Sequence, residues 1–200
     1  MHSSKSIVKK QLNMNLEISE VANLPTKHGT FKIQAFKEHH KEHLAIFTEK
    51  LPDTPIIRVH SECLTGDALG SLKCDCGDQL NVALQTIAKE GGMVLYLRQE
   101  GRNIGLLNKV NAYALQDKGF DTVAANHQLG FPPDARSYEI VHDILKYYHI
   151  DRIRLLTNNP EKIKSLQAIE IVERLPIIVD TNKHNEAYLQ VKKEQMGHLL

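Results

Sequence analysis

From Pro55 onward the chain alternates short apolar runs with stretches of helical period, and that alternation limits the fold more than any other feature. PIIRVH (55–60), MVLYLRQ (93–99) and RIRLLT (152–157) are strand-length and rich in branched apolar residues. DQLNVALQTIAKEGG and NKVNAYALQDKG carry apolar residues at helical spacing and stop on glycine, the residue that most easily adopts left-handed backbone at a helix end. RSYEIVHDILKYYH (136–149) reads as a third helix, NPEKIKSLQAI as a fourth and the tail NEAYLQVKKEQMGHLL as a last amphipathic one. EIVERLPIIV (170–179) reads as a strand broken at Pro176. Upstream, FKIQAF (31–36) and HLAIFTE (43–49) alternate as half-buried strands do, with HHKEH (39–43) as a solvated turn between them. The expectation is an α/β fold, a mixed sheet flanked by helices, with no clear internal domain boundary, after a polar start whose first 15 residues fray.

Composition excludes some partners. Twenty-five basic residues against 24 acidic ones leave a formal charge of +1, which provides no global field for nucleic acid or a membrane surface. The N-terminal MHSSKSIVKKQLNMN has no apolar run of signal-peptide length and nothing downstream approaches a membrane span, so the chain is expected in the cytoplasm. An odd number of cysteines fits a reducing compartment better than a disulfide framework.

All three cysteines fall within RVHSECLTGDALGSLKCDCGDQL (58–80). Cys63, Cys74 and Cys76 follow the spacing C-x10-C-x-C. In an extended segment residues two apart project to one side, which would aim both thiols of KCDCG at one point. The ten residues between Cys63 and Cys74 are enough for the chain to double back. Clustered thiolates suit zinc, against the plainer alternative of three structural cysteines. A fourth ligand must be His60, a nearby carboxylate or solvent. Alternation along a strand turns His60 away from Cys63 and favours water, whereas a Cys3His site would be closed. Water on an open zinc site becomes a nucleophile near neutral pH.

Two further segments are suited to anions. RQEGRNIGLLNK (98–109) follows an apolar strand and precedes a helix, where loop N–H groups and a helix start can hold phosphate, with Arg98, Arg102 and Lys109 adding charge. LLTNNPEK (155–162) places Asn159 and Pro160 at a helix start, with Lys162 in the first turn, where a cation is disfavoured unless an anion is present. PPDAR (132–136) sets a carboxylate two residues before a guanidinium and, on physical grounds alone, says little.

Taken together, RVHSECLTGDALGSLKCDCG, RQEGRNIGL, ANHQLGF and LTNNPEK resemble GTP cyclohydrolase II, the zinc enzyme that opens riboflavin synthesis, over nearly the whole chain from Leu24 to the MGHLL end. The resemblance implies zinc on Cys63, Cys74 and Cys76 with water in the open position. It implies GTP contacts from Arg58, Val59, His60, Ser61 and Glu62, from Gln79, from Glu100, Gly101 and Arg102, and from Thr122, Thr157 and Lys162. Asp134 matches the family's proton acceptor, Arg136 its proposed nucleophile and Tyr113 a tyrosine that shapes the active site. Residues 1–20 form a polar segment that does not match well, so the resemblance implies a single GTP cyclohydrolase II-like domain over 21–200. Within it the departures are the turn at Glu90-Gly91-Gly92, one residue short, and QAIEIVER, which lacks a glycine before the strand. A homodimer is implied as well, with VHDILKYYH as a candidate apolar face, and Mg²⁺ is expected with the triphosphate.

The reaction so implied converts GTP and water to a diaminopyrimidinone ribosyl phosphate, formate and pyrophosphate. Asp134 or Tyr113 would move protons. Attack by Arg136 on the α-phosphorus is chemically demanding, because a guanidinium stays protonated, and a phosphate clamp is the conservative alternative. Two rivals remain at this point. His60-Ser61-Glu62 imitates half of a zinc purine deaminase motif without its P-C-x-x-C partner. A zinc-stabilised nucleotide-binding protein without turnover is the other.

Overall fold

The computed structural model describes residues 16–132 and 134–199. Its sheet contains β1 (Leu16–Ile18), β2 (Ala22–Thr26), β3 (Gly29–Glu38), β4 (Lys41–Phe47), β5 (Ile56–Ser61), β6 (Gly92–Leu97), β7 (Arg152–Leu156) and β8 (Glu170–Leu175). The strand order is β1-β3-β4-β6-β5-β7-β8, with β2 also against β3. Pairing is antiparallel from β1 to the β4–β6 contact and parallel from β6 through β5 and β7 to β8. The mixed sheet is therefore as expected, and its change of sense falls at β6. That strand, GMVLYL, is covered on both faces, which is why it reads as a continuous apolar run rather than an alternating one.

The helices are α1 (Leu64–Asp67), α2 (Cys76–Glu90), α3 (Gly105–Gln116), α4 (Thr122–Gln128), α5 (Glu139–Tyr147), α6 (Pro160–Ser165) and α7 (Glu186–Met196), with a 3-10 turn over Glu100–Asn103. Gly91 stops α2 at φ +82°, its N–H returning 2.9 Å to the carbonyl of Ile87. Asn159 caps α6, its side-chain oxygen accepting from Glu161 N at 2.9 Å, and Pro160 follows at the first helical position.

Helices cover both faces of the sheet. On one, Ala83 and Ile87 of α2 meet Phe31, Ile56, Val94 and Leu156. On the other, Val141, Ile144 and Leu145 of α5 close over Phe36, Ile57, Leu95, Ile153 and Leu155. Each such fully buried aliphatic side chain stabilises by about 1.5–3 kcal/mol relative to exposure.

Several expectations need correction. The apolar face of VHDILKYYH is consumed inside the chain: Val141, Ile144 and Leu145 are fully buried, and Tyr147 and Tyr148 stack edge-on against Phe36 at 5.5 and 6.1 Å. It is not a free dimer face. HHKEH is not wholly a solvated turn either, because His43 lies in β4 with its Nδ1 accepting from Arg98 N at 3.0 Å. The helix expected over 136–149 begins only at Glu139. β1, β2 and α4 had no periodic signal long enough to detect. The frayed segment expected over 1–15 lies outside the described residues.

The parallel half sets the site. Strands β5, β6 and β7 run the same way, so the segments after Ser61, Leu97 and Leu156 emerge at one edge of the sheet, where ligands of α/β sheets bind.

Candidate functional site

The chain leaves β5 into Cys63, which precedes α1. The carboxylate of Asp67, one turn on, fixes that corner. It accepts from Cys63 N at 2.9 Å, from Tyr96 Oη at 2.8 Å, and from His60 Nε2 at 3.1 Å to each oxygen. Buried as it is, His60 is held below its ordinary pKa despite Asp67, so it donates to Asp67 as a neutral ring. His60 is accordingly engaged away from the sulfurs, and the candidate metal cluster is Cys63, Cys74 and Cys76 without it.

The three Sγ atoms lie within 4.8 Å of one another, and Cys63 and Cys74 are 3.6 Å apart. They do not converge by extended spacing. Cys74 sits in the loop before α2, and Cys76 is the first residue of α2. Two glycines bring the start of α2 against α1. A Cβ on Gly77 would fall 2.4 Å from the carbonyl oxygen of Gly66. A Cβ on Gly66 would fall 2.8 Å from Cys74 Sγ and 3.2 Å from Cys63 Sγ. Hydrogen bonding from Cys74 and then Cys76 holds the Cys63 thiol far below its ordinary range, with burial opposing and Lys109 assisting. A compact, buried set of soft donors cradled at a glycine fits zinc.

The sulfurs form one wall of a cavity of about 460 Å³ at the sheet edge, a volume suited to a nucleotide-sized ligand. Arg58, nearly buried in β5, donates from Nη1 to the carbonyl of Leu156 at 3.2 Å and from Nη2 to Gln79 Oε1 at 2.6 Å. Burial lowers its guanidinium to about 10, still charged at neutral pH. Gln79 in turn donates to Asp75 Oδ2 at 2.6 Å, so its amide orientation is set. Ser61 and Glu62 continue the same wall. Val59 does not: its side chain is in the core and its carbonyl accepts from Lys162 Nζ at 2.7 Å. Lys162 is thus drawn inward to the cavity rather than out to solvent. Thr157, also buried, accepts from Asn159 N at 3.1 Å and shapes the turn into α6.

Gly101, Arg102 and Asn103 take consecutive left-handed conformations, with φ of +61°, +59° and +76°. For the two non-glycine residues this costs about 1–2 kcal/mol each. Bonds between Arg102 O and Ala135 N at 3.3 Å, and between Asn103 Nδ2 and Ala135 O at 3.0 Å, tie this loop to the segment carrying Asp134 and Arg136. Arg136 lines the cavity, and Asp134 grips it from behind. Glu100 faces the protein itself: it accepts from Leu64 N at 2.6 Å, Gly101 N at 2.8 Å and Lys109 Nζ at 2.8 Å. Tyr113 reaches Thr65 Oγ1 at 3.2 Å beside the sulfurs. Thr122 is the first residue of α4, and its side chain lies outside the described residues.

Other residues of the site carried weaker signals. Asp67 and Tyr96 brace the cysteine corner, and neither belongs to a motif of its own. From the distant C-terminal segment, His184, Val191 and His198 also line the cavity. Gly197, at φ +64°, turns the chain at the end of α7 so that Leu199 N donates to the carbonyl of Asn158 at 2.9 Å. No local pattern announces that closure.

The GTP cyclohydrolase II family model matches residues 17–176. GTP cyclohydrolase-2 of Campylobacter hominis is 64% identical over 187 residues, 94% of this chain and 97% of that one. The Helicobacter acinonychis and Helicobacter hepaticus proteins of the same name are each 59% identical, over 92% and 94% of this chain and 98% and 100% of theirs. A solved two-domain 3,4-dihydroxy-2-butanone 4-phosphate synthase from A. baumannii superposes with a TM-score of 0.47 at 16% identity, covering 84% of this chain and 41% of that one. With the family match spanning residues 17–176, most of the chain, and a relative 64% identical over 94% of it, the chain belongs to the GTP cyclohydrolase II family.

Proposed function

We propose that the protein hydrolyses GTP to 2,5-diamino-6-(5-phospho-ribosylamino)pyrimidin-4(3H)-one, formate and pyrophosphate, the first step of riboflavin biosynthesis, with Zn²⁺ on Cys63, Cys74 and Cys76. One observation carries the reading: the three-sulfur cluster and the cations Arg136 and Lys162 line a single cavity. A nucleotide bound there can meet the sulfurs with its base and the cations with its phosphates.

Bound zinc supplies Lewis acidity that makes a water nucleophilic near neutral pH, as opening of the guanine imidazole ring requires. The chain does the rest. Arg58 and the oriented amide of Gln79 line the cavity with the sulfurs and are the hydrogen-bonding groups for the purine. Tyr113 Oη, on Thr65 Oγ1, is the hydroxyl beside the cluster and shuttles protons during ring hydrolysis. Burial raises its pKa, which keeps it protonated at neutral pH. Lys162 and Arg136 offset charge on the phosphate chain, and Mg²⁺ accompanies the triphosphate. Arg136 works as a clamp rather than a nucleophile, because Asp134 keeps its charge balanced and its proton in place. Thr157 and the backbone of residues 100–102 shape the phosphate end, and Thr122 is a further contact. The active protein is a cytoplasmic homodimer, with light scattering the measurement of its mass.

The test is to incubate zinc-loaded protein with GTP and quantify formate and pyrophosphate together. Equal release of both supports the assignment. Ammonia without formate would indicate a purine deaminase, and bound GTP without products a binding protein; either result overturns it. Labelled nucleotide trapped on Arg136 would overturn the clamp.

A further inference from the structure

Lys109, on α3, is almost fully buried, and its ammonium meets partners of two unlike kinds. Nζ donates to Glu100 Oε1 at 2.8 Å and to Cys63 Sγ at 3.1 Å. The other oxygen of Glu100 accepts from Leu64 N at 2.6 Å, the residue next to Cys63. Glu100 therefore fixes the backbone beside a sulfur and the cation that touches that sulfur. The lysine is not a surface charge steadied by a chance neighbour. Its stem also passes Gly101, where a Cβ would come within 3.1 Å of Lys109 Cβ. The position is built to admit it.

We propose that Lys109 is a positioning residue that balances the charge of the metal on Cys63, Cys74 and Cys76 and draws electron density from the Cys63 sulfur. Three thiolates overcompensate a divalent cation by one charge, and an unbalanced charge in a buried site is expensive. Cys63 and Cys74 are both buried, so solvent does little to offset it. A charge-assisted hydrogen bond to one thiolate removes the imbalance locally. It also weakens that sulfur as a donor and leaves the metal more electrophilic, as outer partners of metal ligands do elsewhere. Lys109 thereby serves the sulfur end of the cavity and not the phosphates. The inference rests on the zinc assignment proposed above.

The deciding measurement is the visible spectrum of the full-length protein loaded with Co²⁺ in place of zinc, without GTP. The thiolate-to-cobalt charge-transfer band of Lys109→Met should move to longer wavelength, because a sulfur freed of its hydrogen bond gives up an electron more easily. Lys109→Arg, which keeps charge and donor, should restore the wild-type position. Retention of Zn²⁺ by Lys109→Met against a chelator should fall by about 10–100-fold. If Lys109→Met does not fold, Lys109→Gln serves, with the same direction of shift expected. A band at the wild-type wavelength in the neutral variant overturns the proposal, as does wild-type protein that takes up no cobalt. Formate release from GTP by the wild type tests the family reaction separately, so the two fail independently.

Discussion

The carboxylate of Asp134 holds Arg136 at three of its nitrogens: backbone N at 3.0 Å, Nε at 2.9 and 3.1 Å, and Nη2 at 2.5 Å. Nη1 is turned instead toward Ser61 Oγ, 3.5 Å away on the cavity wall. One amino group of the guanidinium is thus presented to the cavity while the rest of it is immobilised.

From this follows a division of effects. Arg136→Ala should cut pyrophosphate release by about 10²–10³-fold, the usual cost of removing one preorganised charge-stabilising donor. Asp134→Asn should keep the side chain in place and lower the same rate less. Burial works to raise the Asp134 carboxyl, but the hydrogen bonds and charge of Arg136 outweigh it and hold it below its ordinary 3.8. The pair therefore remains charged across neutral pH and is lost only as pH falls through that depressed value. Pyrophosphate release followed against pH in both variants checks the assignment.

Gly66 makes a separate prediction at the sulfur end. Its missing side chain leaves room for two of the three sulfurs, so Gly66→Ala must push Cys74 Sγ outward. Metal affinity should fall by about tenfold or more, with the sheet and its melting transition little changed. Zinc content after dialysis against chelator, read beside circular dichroism, separates the two effects.

The C-terminal turn predicts a substrate effect without a metal effect. His198 lines the cavity next to the segment that Leu199 fastens to Asn158. His198→Ala should raise KM for GTP by about tenfold, the value of one hydrogen bond to a charged group, and leave zinc content unchanged. Steady-state kinetics with both products monitored is the measurement.

His43 links the fold to pH. Burial, with help from the nearby charges of Lys41 and Arg98, lowers it from 6.5 to about 4. Between those values the unfolded chain binds a proton that the folded protein refuses, so stability is full above pH 6.5 and declines as pH drops toward 4. The loss should reach about 3 kcal/mol at most. Urea midpoints measured across that window should slope less steeply in His43→Asn, whose amide oxygen can still accept from Arg98 N.

The extent to which this protein could be read from its residues varies with how local each feature is. β5, β6, β7 and α2 were legible because each carries a complete apolar period within one short run, and hydrophobic burial acts on that pattern directly. β1, β2 and α4 were not, since three to seven residues hold too little periodicity. The sulfur cluster is legible from spacing, but the thiols do not converge through an extended C-x-C. Helix α2 begins at Cys76, and the close approach of Gly66 and Gly77 brings the thiols together. VHDILKYYH shows the same limit in reverse, because an apolar face says that something covers it and not whether the cover is this chain or another.

By itself, then, the order of residues determined the α/β alternation, the thiol donor set and the loops that end the parallel strands, all of which depend on near neighbours in the chain. Tertiary structure alone decided that Lys109 meets Cys63 across 46 positions, that Lys162 reaches the carbonyl of Val59 across 103, and that Leu199 fastens to Asn158. Those contacts depend on how the sheet places remote segments side by side. A buried cation finds whichever acceptor that packing supplies, and no local spacing encodes which one it will be.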